Sequence, residues 1–195
     1  MTSAPADPRA ARTRAKLTGA LLAECADRPL AEVSVAAVVR RAAVGRATFY
    51  LHYADLEALA VDACAEVVRE AVDALHAWRG TPDPAAPPPA LLAFFDRIAA
   101  QAPLHRELLA PGGAGPLGRV LHHDLRTRSR TERALAGAPE PDLIASAVAA
   151  TFAAILADWL HGLIEGGPEE IAGKVWRVLI NVHRTPLGGG SGPGA

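Results

Sequence analysis

Ser34-Val35-Ala36-Ala37-Val38-Val39-Arg40-Arg41-Ala42-Ala43-Val44-Gly45-Arg46-Ala47-Thr48-Phe49-Tyr50-Leu51-His52-Tyr53 holds two short helical patterns with a tight break between them. The first opens on Ser34, whose hydroxyl can accept from an unpaired amide of the first turn, and it carries Val35, Val38 and Val39 at helical spacing. It is expected to close near Ala42. Ala43, Val44 and Gly45 then make a corner, with Val44 buried between the helices and Gly45 free to take the backbone angles required. The second helix starts at about Arg46 and carries three i, i+4 pairs. Phe49 with Tyr53 is the apolar pair and should face the core. Arg46 with Tyr50 and Thr48 with His52 lie on the flanks, offering a cation and several hydrogen-bond donors of the kind that suit phosphates and base edges.

Thr48-Phe49-Tyr50-Leu51-His52-Tyr53, followed by Asp55, Glu57 and Leu59, resembles the Thr-(Leu/Phe)-Tyr-x-His-(Phe/Tyr)-x-x-(Lys)-Glu-x-Leu signature of the TetR family of bacterial transcriptional regulators, and the resemblance extends upstream to Thr13 without a gap. It implies an all-α protein: a three-helix helix-turn-helix domain over residues 1–55, a long helix 4, and a helical ligand-binding and dimerisation domain over residues 56–187. By the same resemblance, Ser34, Gly45, Arg46, Thr48, Tyr50 and His52 face DNA, and Phe94, Phe95, Leu121, Phe152 and Trp159 are candidate walls of an effector pocket. The chain departs from the pattern twice. Pro29 stands where relatives usually have a glycine, so helix 1 must close at or before Arg28 by another geometry. Leu56 stands where relatives commonly carry a phosphate-binding lysine, which removes one expected backbone contact.

Composition supports the helical reading without the resemblance. The 195 residues are 50% hydrophobic and 21% charged, enough to bury a full core without disulfides or metals. Alanine fills the segments between proline and glycine, and no stretch alternates as a strand would. Formal charge is -1, but residues 1–55 carry eight basic against five acidic groups. A basic first third on a mildly acidic body is what nucleic-acid contact at one end would produce. Arg9, Arg12 and Arg14 are placed to trail along a DNA backbone from an arm ending near Ala10.

In chain order, helix 1 is expected over Ala11–Asp27 with Leu17, Leu21 and Cys25 buried, and helix 4 from Asp55 to about Trp78. Residues 80–89 read as a proline-rich linker. Further helices are expected over Ala90–Ala102, over Leu104–Ala110, and from Leu117 to near Gly137. The last two, residues 143–163 and 168–183, are expected to form a four-helix dimer interface with a second copy, with Ile144, Val148, Phe152, Ile155, Trp159 and Leu163 on one side of the first and Leu143, Ala147, Ala150 and Ala154 on a flatter side. Residues 188–195 read as a tail.

Sharper chemistries find no support. Cys25 and Cys64 have neither disulfide nor metal spacing and read as small buried hydrophobes. His122 and His123 are adjacent and so point to different helix faces, unlike a helical metal site. Asp158 and His161 lack a nucleophile or phosphate loop beside them. No catalytic residue, cofactor or metal is therefore expected. Residues 1–8 lack the apolar region of a signal peptide, and Leu143–Ala157 falls short of the ~20 residues of a spanning helix, so the expectation is a cytoplasmic protein. Its partners would be a palindromic double-stranded operator, a second copy of itself and a small-molecule effector that releases it. The competing reading is a helical ligand-binding or ligand-processing protein that keeps the fold without binding DNA; the basic first third and the intact Thr48, Tyr50 and His52 favour the regulator.

Overall fold

The computed structural model describes residues 8–77 and 83–184, and every regular element among the described residues is helical. The order is α1 (Pro8–Cys25), a 3-10 turn (Leu30–Glu32), α2 (Val35–Ala42), α3 (Arg46–His52), α4 (Leu56–Ala77), α5 (Pro89–Ala100), α6 (Ala102–Leu108), a second 3-10 turn (Pro111–Gly113), α7 (Gly115–Leu135), α8 (Pro141–Leu160) and α9 (Pro168–Arg184). The first part of the proposed arm, Trp78, residues 80–82 of the linker and the tail over 188–195 lie outside the described residues.

Helix boundaries follow local chemistry. Proline at or next to the first position opens α5, α6, α7 and α8, where its missing N–H costs nothing and its fixed φ suits the helix. α1 starts at Pro8, earlier than expected, and stops at Cys25; Pro29 then takes an extended conformation at φ -64° and ψ 154°. Ser34 caps α2 by accepting from the Ala37 amide at 3.2 Å, and Asp55 caps α4 by accepting from the Ala58 amide at 2.7 Å. α8 starts at Pro141 and ends before Leu163 because Gly162, at φ 76°, reverses the chain. The Leu163 amide donates to Asp158 O at 2.8 Å and the Gly162 amide to Trp159 O at 3.0 Å, so the last carbonyls are satisfied by a Schellman motif.

One continuous core joins the two ends of the chain. Phe49 of α3 is fully buried among Leu17 and Leu21 of α1, Val38 of α2 and Leu59 of α4, and the same cluster runs on to Phe95, Leu121 and Leu156. Burying a side chain the size of Phe49 contributes roughly 1.5–3 kcal/mol. α4, about 33 Å long at ~1.5 Å per residue, packs against α1 at its start and against α5 and α7 along its length. A polar tie reinforces the junction, since the Leu30 amide donates to Glu107 of α6 at 3.2 Å.

The buried stripe of α8 differs from the expected one by one residue. Ala145, Ala149, Ala153, Leu156 and Leu160 are buried, whereas Ile144, Val148, Phe152, Ile155 and Trp159 are half-buried at its flanks. The small residues face inward because α7 and the glycine turn approach α8 closely: a Cβ on Gly113 would lie 3.0 Å from the Ala153 backbone, and one on Gly118 would collide with Gly113 O. The flat face came out as expected, with Leu143, Ala147 and Ala150 exposed and Ala154 half-buried. At 20 residues α8, which takes in Asp142 and Asp158, is by length and composition long and apolar enough to cross a membrane, although the uncharged run Leu143–Ala157 within it is shorter; within the fold it lies against α7, α9 and the glycine turn.

Candidate nucleic-acid interface and ligand cavity

The corner between α2 and α3 solves its backbone problem two residues earlier than glycine content suggests. Ala43 adopts the left-handed conformation (φ 53°, ψ 46°), while Gly45 is extended at φ -74° and ψ 150°. A side chain at Gly45 would meet only Thr48 Oγ1 at 3.6 Å, so no local strain requires glycine there. The value of Gly45 is its bare, exposed backbone at the start of α3.

α3 divides as its spacing predicts. Phe49 and the Tyr53 ring point inward with ring centroids 6.1 Å apart, leaving Arg46, Ala47, Tyr50 and Leu51 exposed and Thr48 and His52 half-buried. The Arg46 guanidinium lies 6.0 Å from the Tyr50 ring centroid, and the Tyr50 ring meets Phe49 edge-on at 5.2 Å, so the exposed phenol is held from both sides. Leu51 is 83% exposed, an apolar group that the sequence reading passed over. The hydroxyl proton of Ser34 is left to donate outward while its oxygen accepts from Ala37. Leu56 is half-buried and packs against the core.

Two polar contacts orient this surface. Glu24 of α1 is buried and pairs with Arg28 and with Arg41 of α2, the latter at 2.6 Å. Arg41, counted above among the basic groups of the first third, is thus paired within the fold although its side chain is itself about half exposed; Arg12, Arg14, Lys16, Arg40 and Arg46 are exposed as well. At the end of α3 the Tyr53 hydroxyl donates to Asp62 of α4 at 2.7 Å. Burial and this bond hold the phenol above its ordinary pKa, so it stays a donor.

The body holds a half-open cavity of about 620 Å³, within the range of small-molecule sites. Its apolar walls come from Val68, Val72 and Leu75 of α4, Phe94 of α5, Phe152 of α8 and Trp176 of α9. Arg128, Ser129, Glu132 and Arg133 of α7 form its polar edge. Of the five residues expected at a pocket, Phe94 and Phe152 line it, with ring centroids 5.7 Å apart. Phe95, Leu121 and Trp159 do not: Phe95 is buried edge-on against the Trp159 ring at 5.4 Å, and Leu121 is buried in the core. Consecutive residues on α5 point about 100° apart, and here that turn carries Phe95 away from the cavity and onto Trp159. Trp176 and the α7 arginines were missed because their faces become a wall only when α9 folds back on α5 across the chain. The Trp176 indole donates to Asp83 O at 2.7 Å, presenting its ring to the cavity.

The groups read as chemically idle are structural. Asp158 accepts from the Gly112 amide and His161 Nε2 bonds Leu109 O, each at 2.9 Å, tying the end of α8 to the glycine turn. Asp124 accepts from Arg69. Burial pushes the Cys64 thiol up to about 12, with Cys25 adding to the shift, and Cys25 is itself raised by burial and by Glu107. No metal-binding group of acidic, histidine and cysteine side chains occurs among the described residues.

No family model and no curated protein matches the chain. Among solved structures, a gamma-butyrolactone receptor (ArpA like protein) is similar to 89% of this chain over 88% of its own, at 18% identity and a TM-score of 0.42.

Proposed function

We propose that the chain is a homodimeric, DNA-binding transcriptional regulator of the TetR type, a repressor that a small-molecule effector releases from a palindromic operator. The observation that carries the reading is α3: an anchored helix whose outer side offers Arg46, Thr48, Tyr50, Leu51 and His52 in register, beside exposed cations of α1 and α2. Phosphate contacts from Thr48, Tyr50 and His52 would position it, and Arg46 would read a base edge in the major groove. In this reading residues 1–55 bind DNA, residues 56–187 bind effector and dimerise, and the protein works in the cytoplasm without catalysis.

A second copy would cover the exposed face of α8 (Leu143, Ala147, Ala150) together with Leu163 and Val178. Small residues on that face let two helices approach closely, and a dimer would present two α3 helices to half-sites about 34–36 Å apart. Effector in the cavity would touch α4 and α7, whose charged groups lead back to α3. The test is a footprint on the intergenic DNA beside the gene that encodes this chain. Protection of a near-palindrome, with two protomers per site, is expected; no protection at any upstream DNA, at low salt and without ligand, would end the DNA-binding reading.

A further inference from the structure

We infer that the cavity takes an uncharged molecule with an apolar, ring-bearing body and a hydrogen-bond acceptor, the acceptor meeting Ser129 on an α7 edge whose charges are balanced within the fold. The inference rests on the effector reading above and names the chemistry of that site.

The body of the ligand follows from the walls. Phe94, Phe152 and Trp176 supply ring surface, and Val68, Val72 and Leu75 supply aliphatic surface. The Trp176 N–H is given to Asp83 O, so its ring meets the cavity as an apolar surface. Ligand atoms there gain by leaving water, at roughly 25 cal/mol per Å² of apolar area buried.

The absence of ligand charge follows from one turn of α7. Arg128, Ser129, Glu132 and Arg133 reach the cavity edge together because residues three and four apart share a helix face. Arg128 bonds Glu132 at 2.7 Å and Asp73 of α4 at 3.0 Å, and Arg133 Nε donates to Ser129 Oγ at 3.2 Å. Glu132 and Arg133 are engaged beyond these bonds as well. Two guanidiniums thus stand against two carboxylates, and an ion of either sign meets a like charge beside each opposite one. Such an ion would leave its water shell with no surplus charge on the protein to offset the loss, a cost that an uncharged ligand does not incur. Ser129 supplies the directional contact: its oxygen accepts from Arg133, which leaves the hydroxyl proton to donate to a ligand oxygen.

The experiment uses the full chain and four naphthalene probes that differ in one substituent: 2-acetylnaphthalene, 2-ethylnaphthalene, 2-naphthoate and 2-naphthylmethylammonium, with affinities read by equilibrium dialysis. The parent should bind the acetyl probe about ten-fold or more tighter than either ion. Simple partition into an apolar space would give the same order, so the charge balance is tested by shifting it. Glu132→Gln should strengthen naphthoate about ten-fold, and Arg128→Gln should do the same for the ammonium, each leaving the ethyl probe within about two-fold. Ser129→Ala should weaken the acetyl probe about three- to ten-fold and spare the ethyl probe. Circular dichroism certifies each fold, and if one charge variant misfolds the other carries the test. Equal or tighter binding of an ion by the parent overturns the proposal, as does binding of none of the four. Ion affinities that ignore the charge variants in a folded chain overturn it too, and so does a Ser129→Ala loss shared by both uncharged probes. The parent is assayed for DNA binding without ligand in parallel. The expected probe pattern without DNA binding supports the site and removes the regulator reading; DNA binding without that pattern does the reverse.

Discussion

Tyr53, the C-cap of α3, donates its hydroxyl to Asp62 of α4 at 2.7 Å, and Asp62 in turn accepts from Arg69 at 2.8 Å. Arg69 also bonds Asp124 of α7 at 3.2 Å, one position before Leu125 of the cavity wall. A chain of polar and charged contacts thus runs from the helix proposed to read DNA to the helix that forms the polar edge of the cavity.

If that chain carries the response, Arg69→Met should reduce the factor by which effector weakens DNA binding while leaving DNA affinity without effector within about two-fold. Linkage demands the same factor in both directions, so effector affinity should be measured with and without operator. A coupling factor equal to that of the parent would mean that α4 moves without help from these charges. Tyr53→Phe should cost about 1 kcal/mol in urea denaturation, the low end for a bond to a charged group because Asp62 is partly exposed and keeps Arg69.

On the outer side of α3, Thr48→Ala, Tyr50→Phe and His52→Ala should weaken binding to all sequences alike, because phosphate contacts carry no sequence information. Arg46→Ala should relax preference at one base pair per half-site by ~1 to 3 kcal/mol. Leu51→Ala should lower preference for a thymine, whose methyl group is the groove feature an exposed leucine can meet. Selection of bound sequences from a random pool checks all five, and parent-like results throughout would mean that α3 is not the reading surface.

The corner makes an unusual pair of demands. Ala43→Gly should be neutral or stabilising by up to ~1 kcal/mol, since it removes a side chain from a left-handed position. Gly45→Ala should also stabilise, by ~0.4 to 1 kcal/mol, because its angles suit any residue and the new Cβ meets an ordinary contact. Thermal melts read both. If Gly45→Ala folds well yet binds DNA poorly, glycine is there to let the backbone approach a phosphate.

His105 predicts a pH dependence. It is buried, its Nδ1 bonds Gln101 O at 2.9 Å, and its Nε2 has no hydrogen-bond partner among the described residues. Burial lowers its pKa below the ordinary 6.5, so the folded state holds it neutral. The stability this gives is complete above about pH 6.5 and is lost as pH falls toward the depressed folded value, at up to ~1.4 kcal/mol per pH unit. Urea midpoints at pH 7 and pH 5 should differ less in His105→Leu than in the parent; identical slopes would assign the acid sensitivity to other groups.

Ala147→Glu or Ala150→Glu should produce monomers or aggregates, because each places a charge on the exposed small-residue face of α8. Light scattering on the parent decides the premise: the mass of one chain at micromolar concentration would remove the proposed interface.

What the sequence by itself determined about this protein is what neighbours along the chain decide. Ser34 and Asp55 mark helix starts, Pro168 opens the last helix, and the i, i+4 spacing of Phe49 and Tyr53 sets the inner face of α3. Each of these depends on partners within a turn or two. Gly45 misled because glycine permits a left-handed angle without requiring it, and that angle falls on Ala43, the C-cap of α2. The tertiary structure alone decided the rest: Glu24 meets Arg41 across 17 positions, Arg69 meets Asp124 across 55, and Trp176 reaches Asp83 across 93. Such pairs leave no period in the sequence, and the choice of Phe94 over Phe95 as cavity wall, or of Ala149 over Val148 as the inner face of α8, depends on how closely α7 and the glycine turn can approach.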